Sequence, residues 1–213
     1  MYVPQHFEES RVPVLHRTMR EIGFATLVTI GTDGLIASHV PLLLDPEPTP
    51  FGTLSGHLAR ANSQWTGAAS DVEALAIFLG PHAYVSPSWY PTKTESGKVV
   101  PTWNYVAIHA YGKLRLIDDP DWKLAHVAKL THSHESRRAK PWAVSDAPPD
   151  FIRGMVNAII GFELPIARLE GKWKMSQNRP TADQAGVVEA LGRQSGNGAA
   201  VAAIIATRDE GKK

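Results

Sequence analysis

The chain has 213 residues, a formal net charge of +1, 43% hydrophobic and 20% charged residues, and no cysteine. That length suits one domain, or one domain with a helical appendage, and buries a core without staples. The mixed charge makes no bulk electrostatic case for a polyanionic partner, and the lack of cysteine excludes disulfides, thiolate metal sites and cysteine nucleophiles.

Cysteine-free composition fits a reducing, cytoplasmic setting. The start MYVPQHFEESR has neither the basic lead nor the apolar run of a secretion signal. The most apolar helical window, Gly198 to Thr207, falls short of the about 18 residues that a membrane span needs, so no membrane partner is expected.

In chain order, Glu8 to Ile22 reads as a helix that Pro13 limits, so its start is expected near that proline. Leu15, Met19 and Ile22 share its core face. Phe24 to Ile30 reads as a strand, Gly31-Thr32-Asp33-Gly34 as a hairpin turn, and Leu35 to Leu44 as the return strand. Pro41 removes a ladder donor there, which argues for an edge or a bulge. Phe51 to Ser55 is a third strand. It is expected to run into a junction at Gly56 and a helix through Trp65. Asp71 to Leu79 is a fourth, buried strand.

Gly80 to Tyr105 departs from ordinary core writing. Two short extended runs, Ala83 to Ser86 and Thr102 to Tyr105, carry aromatics, hydroxyls and a carboxamide, and a hydrophilic link, Thr92 to Lys98, joins them. Such a mixture suits a flat polar ligand, or a long loop packed by its own aromatics.

Val106 to Ile117 alternates as a strand. Asp118-Asp119-Pro120 caps a helix from Asp121 to about His134, and Pro148-Pro149 opens a short helix to Ile159. Gly161 to Met175 is a last strand segment, with a possible hairpin about Glu170-Gly171. Two helices, Thr181 to Leu191 and the alanine-rich tail, close the chain. Short links between strands favour a mainly β fold, a small antiparallel barrel with peripheral helices.

Ser55-Gly56-His57-Leu58-Ala59-Arg60-Ala61-Asn62 offers one site for chemistry. Read as a strand–helix junction, it would present free N–H groups to a phosphate, with Arg60, His57 and Asn62 as further donors. The plainer reading is a surface arginine at an ordinary junction. Ser176-Gln177-Asn178-Arg179 could read a ring edge or a second phosphate oxygen, or simply cap the helix before Pro180. His132 and His134 point apart on their helix, with His126 further back, so no metal pair is expected. GxSxG, GxxxxGK[ST] and GxGxxG motifs are all missing, which removes the usual marks of hydrolases, nucleotide triphosphatases and dinucleotide folds. Arg137, Arg138 and Lys140 form a short basic patch, with no DNA-reading element beside it.

MYVPxxF, HVPLLL, GHLARAN, GPHAYVSPSWY, VPTWNY and KMSQNR run in order through Met1–Phe7, His39–Leu44, Gly56–Asn62, Gly80–Tyr90, Val100–Tyr105 and Lys174–Arg179. In this the chain resembles the PaiB-like family of FMN-binding negative transcriptional regulators. The resemblance implies an antiparallel split β-barrel of the flavin reductase and pyridoxamine-phosphate oxidase type, with FMN in a groove between two subunits of a homodimer. It implies that His39, Val40, Pro41 and Leu42 face the flavin ring. It gives Ser55, His57, Arg60 and Asn62 to the phosphate side, Trp103 and Asn104 to the ring side, and Gln177, Asn178 and Arg179 to closing contacts, from the same chain or its partner. A barrel domain over 1–180 with a helical extension over 181–213 is expected. A small-molecule ligand in the flavin groove is possible, and so is DNA. Two functions stay open: a flavin-binding repressor, or an FMN-dependent oxidoreductase with an indirect regulatory role. No catalytic residue is assigned. His82, Tyr84 and His109 are the nearest candidates for proton transfer.

Overall fold

The computed structural model describes residues 1–31, 34–69 and 71–208. Thr32 and Asp33 of the expected hairpin turn lie outside the described residues. In chain order the elements are β1 (Glu8–Glu9), α1 (Val12–Ile22), β2 (Phe24–Gly31), β3 (Gly34–Pro41), β4 (Leu43–Asp45), β5 (Thr53–Ala59), α2 (Gln64–Gly67), β6 (Ala74–Val85), α3 (Lys93–Ser96), β7 (Thr102–Gly112), β8 (Arg115–Ile117), α4 (Pro120–Glu135), α5 (Pro149–Asn157), β9 (Ile159–Pro165), β10 (Arg168–Lys174), α6 (Thr181–Gly192) and α7 (Asn197–Arg208). The strands form a six-stranded sheet, β1-β10-β7-β6-β2-β3, and a four-stranded sheet, β4-β5-β9-β8. The architecture is mainly β with peripheral helices and antiparallel pairing.

The chain divides into two compact units. One comprises residues 16–78 and 109–169. Its four-stranded sheet is centred on β5 and β9, paired from Thr53↔Pro165 to Ala59↔Ile159. Leu54, Leu58, Ile160, Phe162 and Leu164 of these strands are buried. Gly56 is required by close packing: a Cβ there would lie 2.5 Å from the Phe162 ring and 2.7 Å from Leu42. α4 starts as its sequence dictates. The Asp119 carboxylate accepts the Asp121 N–H at 2.9 Å, and Pro120 fills the first turn, where its missing N–H is not needed.

The other unit comprises residues 1–15, 79–108 and 170–213. Val187 and Leu191 of α6 and Val201, Ala202 and Ile205 of α7 pack with Val85, Tyr90, Val106 and Met175 in one apolar cluster. Asp183 is buried and accepts both the Thr92 N–H (3.2 Å) and the Thr92 hydroxyl (2.8 Å), which fixes the link before α3 to α6.

Several expected elements are corrected. Glu8 and Glu9 belong to no helix: their backbone pairs with Lys172 and Gly171, and Glu9 accepts the Arg11 N–H at 2.9 Å where α1 is about to begin. Leu35 to Leu44 is not one strand. Pro41 ends β3, Leu42 N–H turns to Gly23 O at 2.9 Å, and β4 joins the other sheet by pairing Leu43 with Ser55. The expected junction at Gly56 is continuous strand through Ala59, because β9 offers it a full ladder. The fourth strand runs on to Val85, and Thr102 to Gly112 is a single strand. The last segment is not a hairpin about Glu170-Gly171: β9 and β10 lie in different sheets.

Candidate functional site

β5 alternates its side chains between two faces. Leu54, Gly56 and Leu58 point to the buried face, so Ser55 and His57 share the other. Helix α4 covers that face. Trp122 lies against the backbone of Gly161, where a Cβ would sit 2.3 Å from the indole. One turn on, His126 stacks on Trp122 with ring centroids 5.1 Å apart and planes 8° from parallel. The His57 ring meets His126 edge-on at 5.4 Å.

Both imidazoles are short of partners: His57 Nδ1 and His126 Nε2 are buried without a hydrogen bond. Burial, with His57 and Lys129 beside it, pushes His126 down to about 4, and burial lowers His57 as well. Both rings are neutral near pH 7. A folded-state value below the ordinary histidine value means that the unfolded chain takes up protons the folded chain refuses. Stability is therefore complete above about pH 6.5 and falls as pH drops toward 4. Thermal melts between these limits should show that decline, and His126→Asn should flatten it.

Arg60 leaves the end of β5 and is held on several sides. Its N–H donates to Ala158 O at 2.8 Å and its Nε to Asn157 O at 2.7 Å. The two terminal nitrogens take the Asp118 carboxylate as a fork, at 3.0 and 2.5 Å. Asp118 also receives Lys123 Nζ at 2.7 Å, from an ammonium only 1% exposed. The Arg60 guanidinium and the Lys123 ammonium hold the Asp118 carboxyl far below the usual carboxylate range. Two cations thus share one carboxylate, and the cluster keeps one positive charge. The helix N-terminus expected at this point is absent, since α2 starts at Gln64 and has four residues.

Asn62 joins two of the expected groups. Its Nδ2 donates to Ser38 Oγ at 3.0 Å and its Oδ1 accepts the Gln64 N–H at 2.9 Å. The loop that carries Arg60 to Asn62 is thereby tied to β3, one residue before His39. His39 is exposed, with Nδ1 3.0 Å from Thr26 Oγ1 and its ring stacked near Phe24. Val40 and Leu42 are buried and Pro41 is half-buried. β3 is the last strand of its sheet, so the backbone groups of its outer edge lie outside the ladder.

In the other unit, Trp103 is 53% exposed and has His82 and Tyr84 near it, each with ring centroids 6.2 Å away. Asn104 beside it is 0% exposed and spent on Ser176, donating from Nδ2 at 2.9 Å and accepting the Ser176 hydroxyl at 3.3 Å. Gln177 folds back on its own turn, accepting Met175 N–H at 2.5 Å and donating to Trp173 O. Asn178 is exposed, and the Arg179 guanidinium lies 4.8 Å from the centre of the Tyr90 ring. Asn104→Ala should therefore cost about 1–3 kcal/mol in urea unfolding, because it strands a buried Ser176 hydroxyl. Among the described residues, no group of histidines and acids could hold a metal ion, and no helix is long and apolar enough to cross a membrane.

Sequence reasoning missed Asp118, Lys123 and Trp122 as neighbours of the site. In the sequence Asp118 presents itself only as part of a helix cap, and nothing local signals a partner 58 residues away.

Residues 1–168 match the model of the family described as "Putative FMN-binding domain". The chain belongs to this family. Among its relatives, the protease synthase and sporulation protein PAI 2 of Bacillus subtilis is 31% identical over 191 residues, covering 90% of this chain and 89% of that protein. Protein AN0679 of Emericella nidulans is 34% identical over 250 aligned residues, covering 100% of this chain and 99% of its own. The flavocytochrome Anf3 of Azotobacter vinelandii shares the fold at 11% identity, with a TM-score of 0.57 over 81% of this chain and 72% of that chain.

Proposed function

We propose that this protein binds FMN and acts as a PaiB-like negative transcriptional regulator, with the flavin in a groove of a homodimer built from antiparallel split barrels. The observation that carries the reading is the family match over residues 1–168. The donor set fits the cofactor. The Arg60–Asp118–Lys123 cluster keeps one positive charge for a phosphate. Through Asn62 and Ser38 it adjoins the end of the edge strand at His39 to Pro41, with Leu42 just beyond, and the outer backbone edge there can meet the polar rim of a flavin ring. In this reading Arg60 grips the phosphate, Asn62 holds the loop, and His39 to Leu42 line the ring. Trp103 and Asn178 are exposed enough to serve the partner subunit's site, Arg179 is half-buried against Tyr90, and Asn104 and Gln177 shape the backbone around them. Bound FMN would supply any redox chemistry, and the protein would supply binding, orientation and access.

The test uses purified protein loaded with FMN. Retardation of promoter DNA at a stated, moderate salt concentration, without flavin bleaching by NADH or NADPH under anaerobic conditions, supports the regulator. Rapid bleaching without DNA retardation supports the FMN-dependent oxidoreductase instead.

A further inference from the structure

β2 lies between β3 and β6 in the six-stranded sheet. Its Ala25, Leu27 and Thr29 point to one face and are buried. An antiparallel sheet with one face on the core and the other in water alternates apolar with polar residues. This stretch does not. On its outer face Ile30 lies opposite Leu35, and Val28 lies between Ala37 and Leu75. The next row is Thr26 between His39 and Ile77, and Phe24 ends the face. Phe24, Ile30 and Leu35 are 55%, 41% and 76% exposed.

The polar side chains in these rows, Thr26 and His39, bond each other at 3.0 Å through Oγ1 and Nδ1, so the face can close without stranding either atom. Among the described residues these rows hold no charged side chain. Charge enters just before β6, at Glu73, which pairs with Arg168 at 3.5 Å. Three strands about 4.8 Å apart, over about seven residues at about 3.4 Å each, cover roughly 350 Å² in projection. That suits the apolar core of an interface of about 800 Å² per partner, the size a stable dimer needs, with the rest supplied by a polar rim.

We infer that two copies of this chain pair through this face, the outer side of β6-β2-β3 in one copy against the same side in the other, about a two-fold axis. A face without charges meets its own copy with no like charges opposed. A membrane surface matches it poorly, since these rows offer no lysine or arginine to anionic headgroups. The inference names the surface of the homodimer proposed above. It rests on that reading in placing the flavin beside the interface, because His39 belongs to both.

Sedimentation velocity on the purified full chain, over a range of concentrations, tests it. Wild type is expected to run as a dimer. Leu35→Glu and Ala37→Glu each put a carboxylate on an exposed position of the face, and each should raise the dimer dissociation constant by about a hundredfold or more. Phe151→Glu, on α5 at a position 57% exposed, is the control and should leave the dimer intact. Circular dichroism and melting curves check the fold of each variant, and Ala37→Glu carries the test if Leu35→Glu does not fold. A monomeric wild type overturns the inference. So do folded face variants that stay dimeric with wild-type affinity, or a Phe151→Glu that splits the dimer as fully as they do. FMN uptake by the same samples is read separately. A wild-type dimer split by the face variants alone supports the interface whether or not FMN binds, and failure to take up FMN then falls on the flavin reading alone.

Discussion

Arg60→Ala should raise the dissociation constant of FMN by about ten- to a hundredfold and leave that of riboflavin nearly unchanged. The two ligands differ only in the phosphate, so their ratio isolates the contact in question. The guanidinium is preorganised: Asp118 holds its terminal nitrogens and Asn157 O its Nε. Because Asp118 is also neutralised by Lys123, the carboxylate does not cancel the arginine in full. Arg60→Lys keeps the charge but loses the planar fork, and should fall between wild type and alanine. The Arg60 side chain also braces the corner between α5 and β9 through Asn157 O, so some loss of stability is expected as well. Riboflavin serves as the internal control for that loss. Equal weakening of both ligands would make Arg60 a brace with no part in phosphate binding.

Gly161→Ala should destabilise the fold by about 1–3 kcal/mol, which lowers the melting temperature by about 2–10 °C. The new Cβ would lie 2.3 and 2.8 Å from two carbons of the Trp122 indole and 3.1 Å from Ile117 O. The indole cannot simply swing away, because His126 is stacked on it. Relief requires α4 to lift from the sheet, and that motion carries Lys123 away from Asp118. FMN affinity should fall together with stability. Gly154→Ala is the control: a Cβ there meets nothing within 4 Å, and in the helix α5 alanine is the better helix former. Equal losses at both positions would contradict the steric account.

Where local chemistry decides structure, the sequence was readable. Asp119 and Pro120 announce the start of α4, and Pro180 and Gly192 mark the two ends of α6. The spacing puts Leu15, Met19 and Ile22 on one core face; Leu15 and Met19 are buried and Ile22, at the end of α1, is half-buried. Pro41 was read as an edge or bulge signal, and β3 is indeed an edge strand that ends there. What failed depended on partners distant in the chain. Gly161 to Met175 is a nearly continuous β-like run, and only the competing partners, β5 for Ile159–Pro165 and β1 for Glu170's neighbours, divide it between two sheets. Gly56 reads as a strand–helix junction, but it lies inside β5 and is needed to admit Phe162 and Leu42.

The site shows the same division. Arg60, Asn62 and His39 were singled out from motifs, and the Asn62–Ser38 bond places their segments side by side. Asp118 and Lys123 were invisible as site neighbours, because the carboxylate that two cations share is assembled across β5 and the start of α4. In the sequence, His126 stands out only beside His132 and His134, as a question of metal ligation. Its actual surroundings, Trp122 on one side and His57 on another, follow from the packing of α4 on the sheet.

The most direct test of the account is titration of the purified full chain with FMN, followed by its visible spectrum and by flavin fluorescence. The account expects flavin absorbance in the protein as isolated or saturable uptake on titration, with FMN bound more tightly than riboflavin. Colourless protein that takes up no FMN at any concentration tested would contradict it.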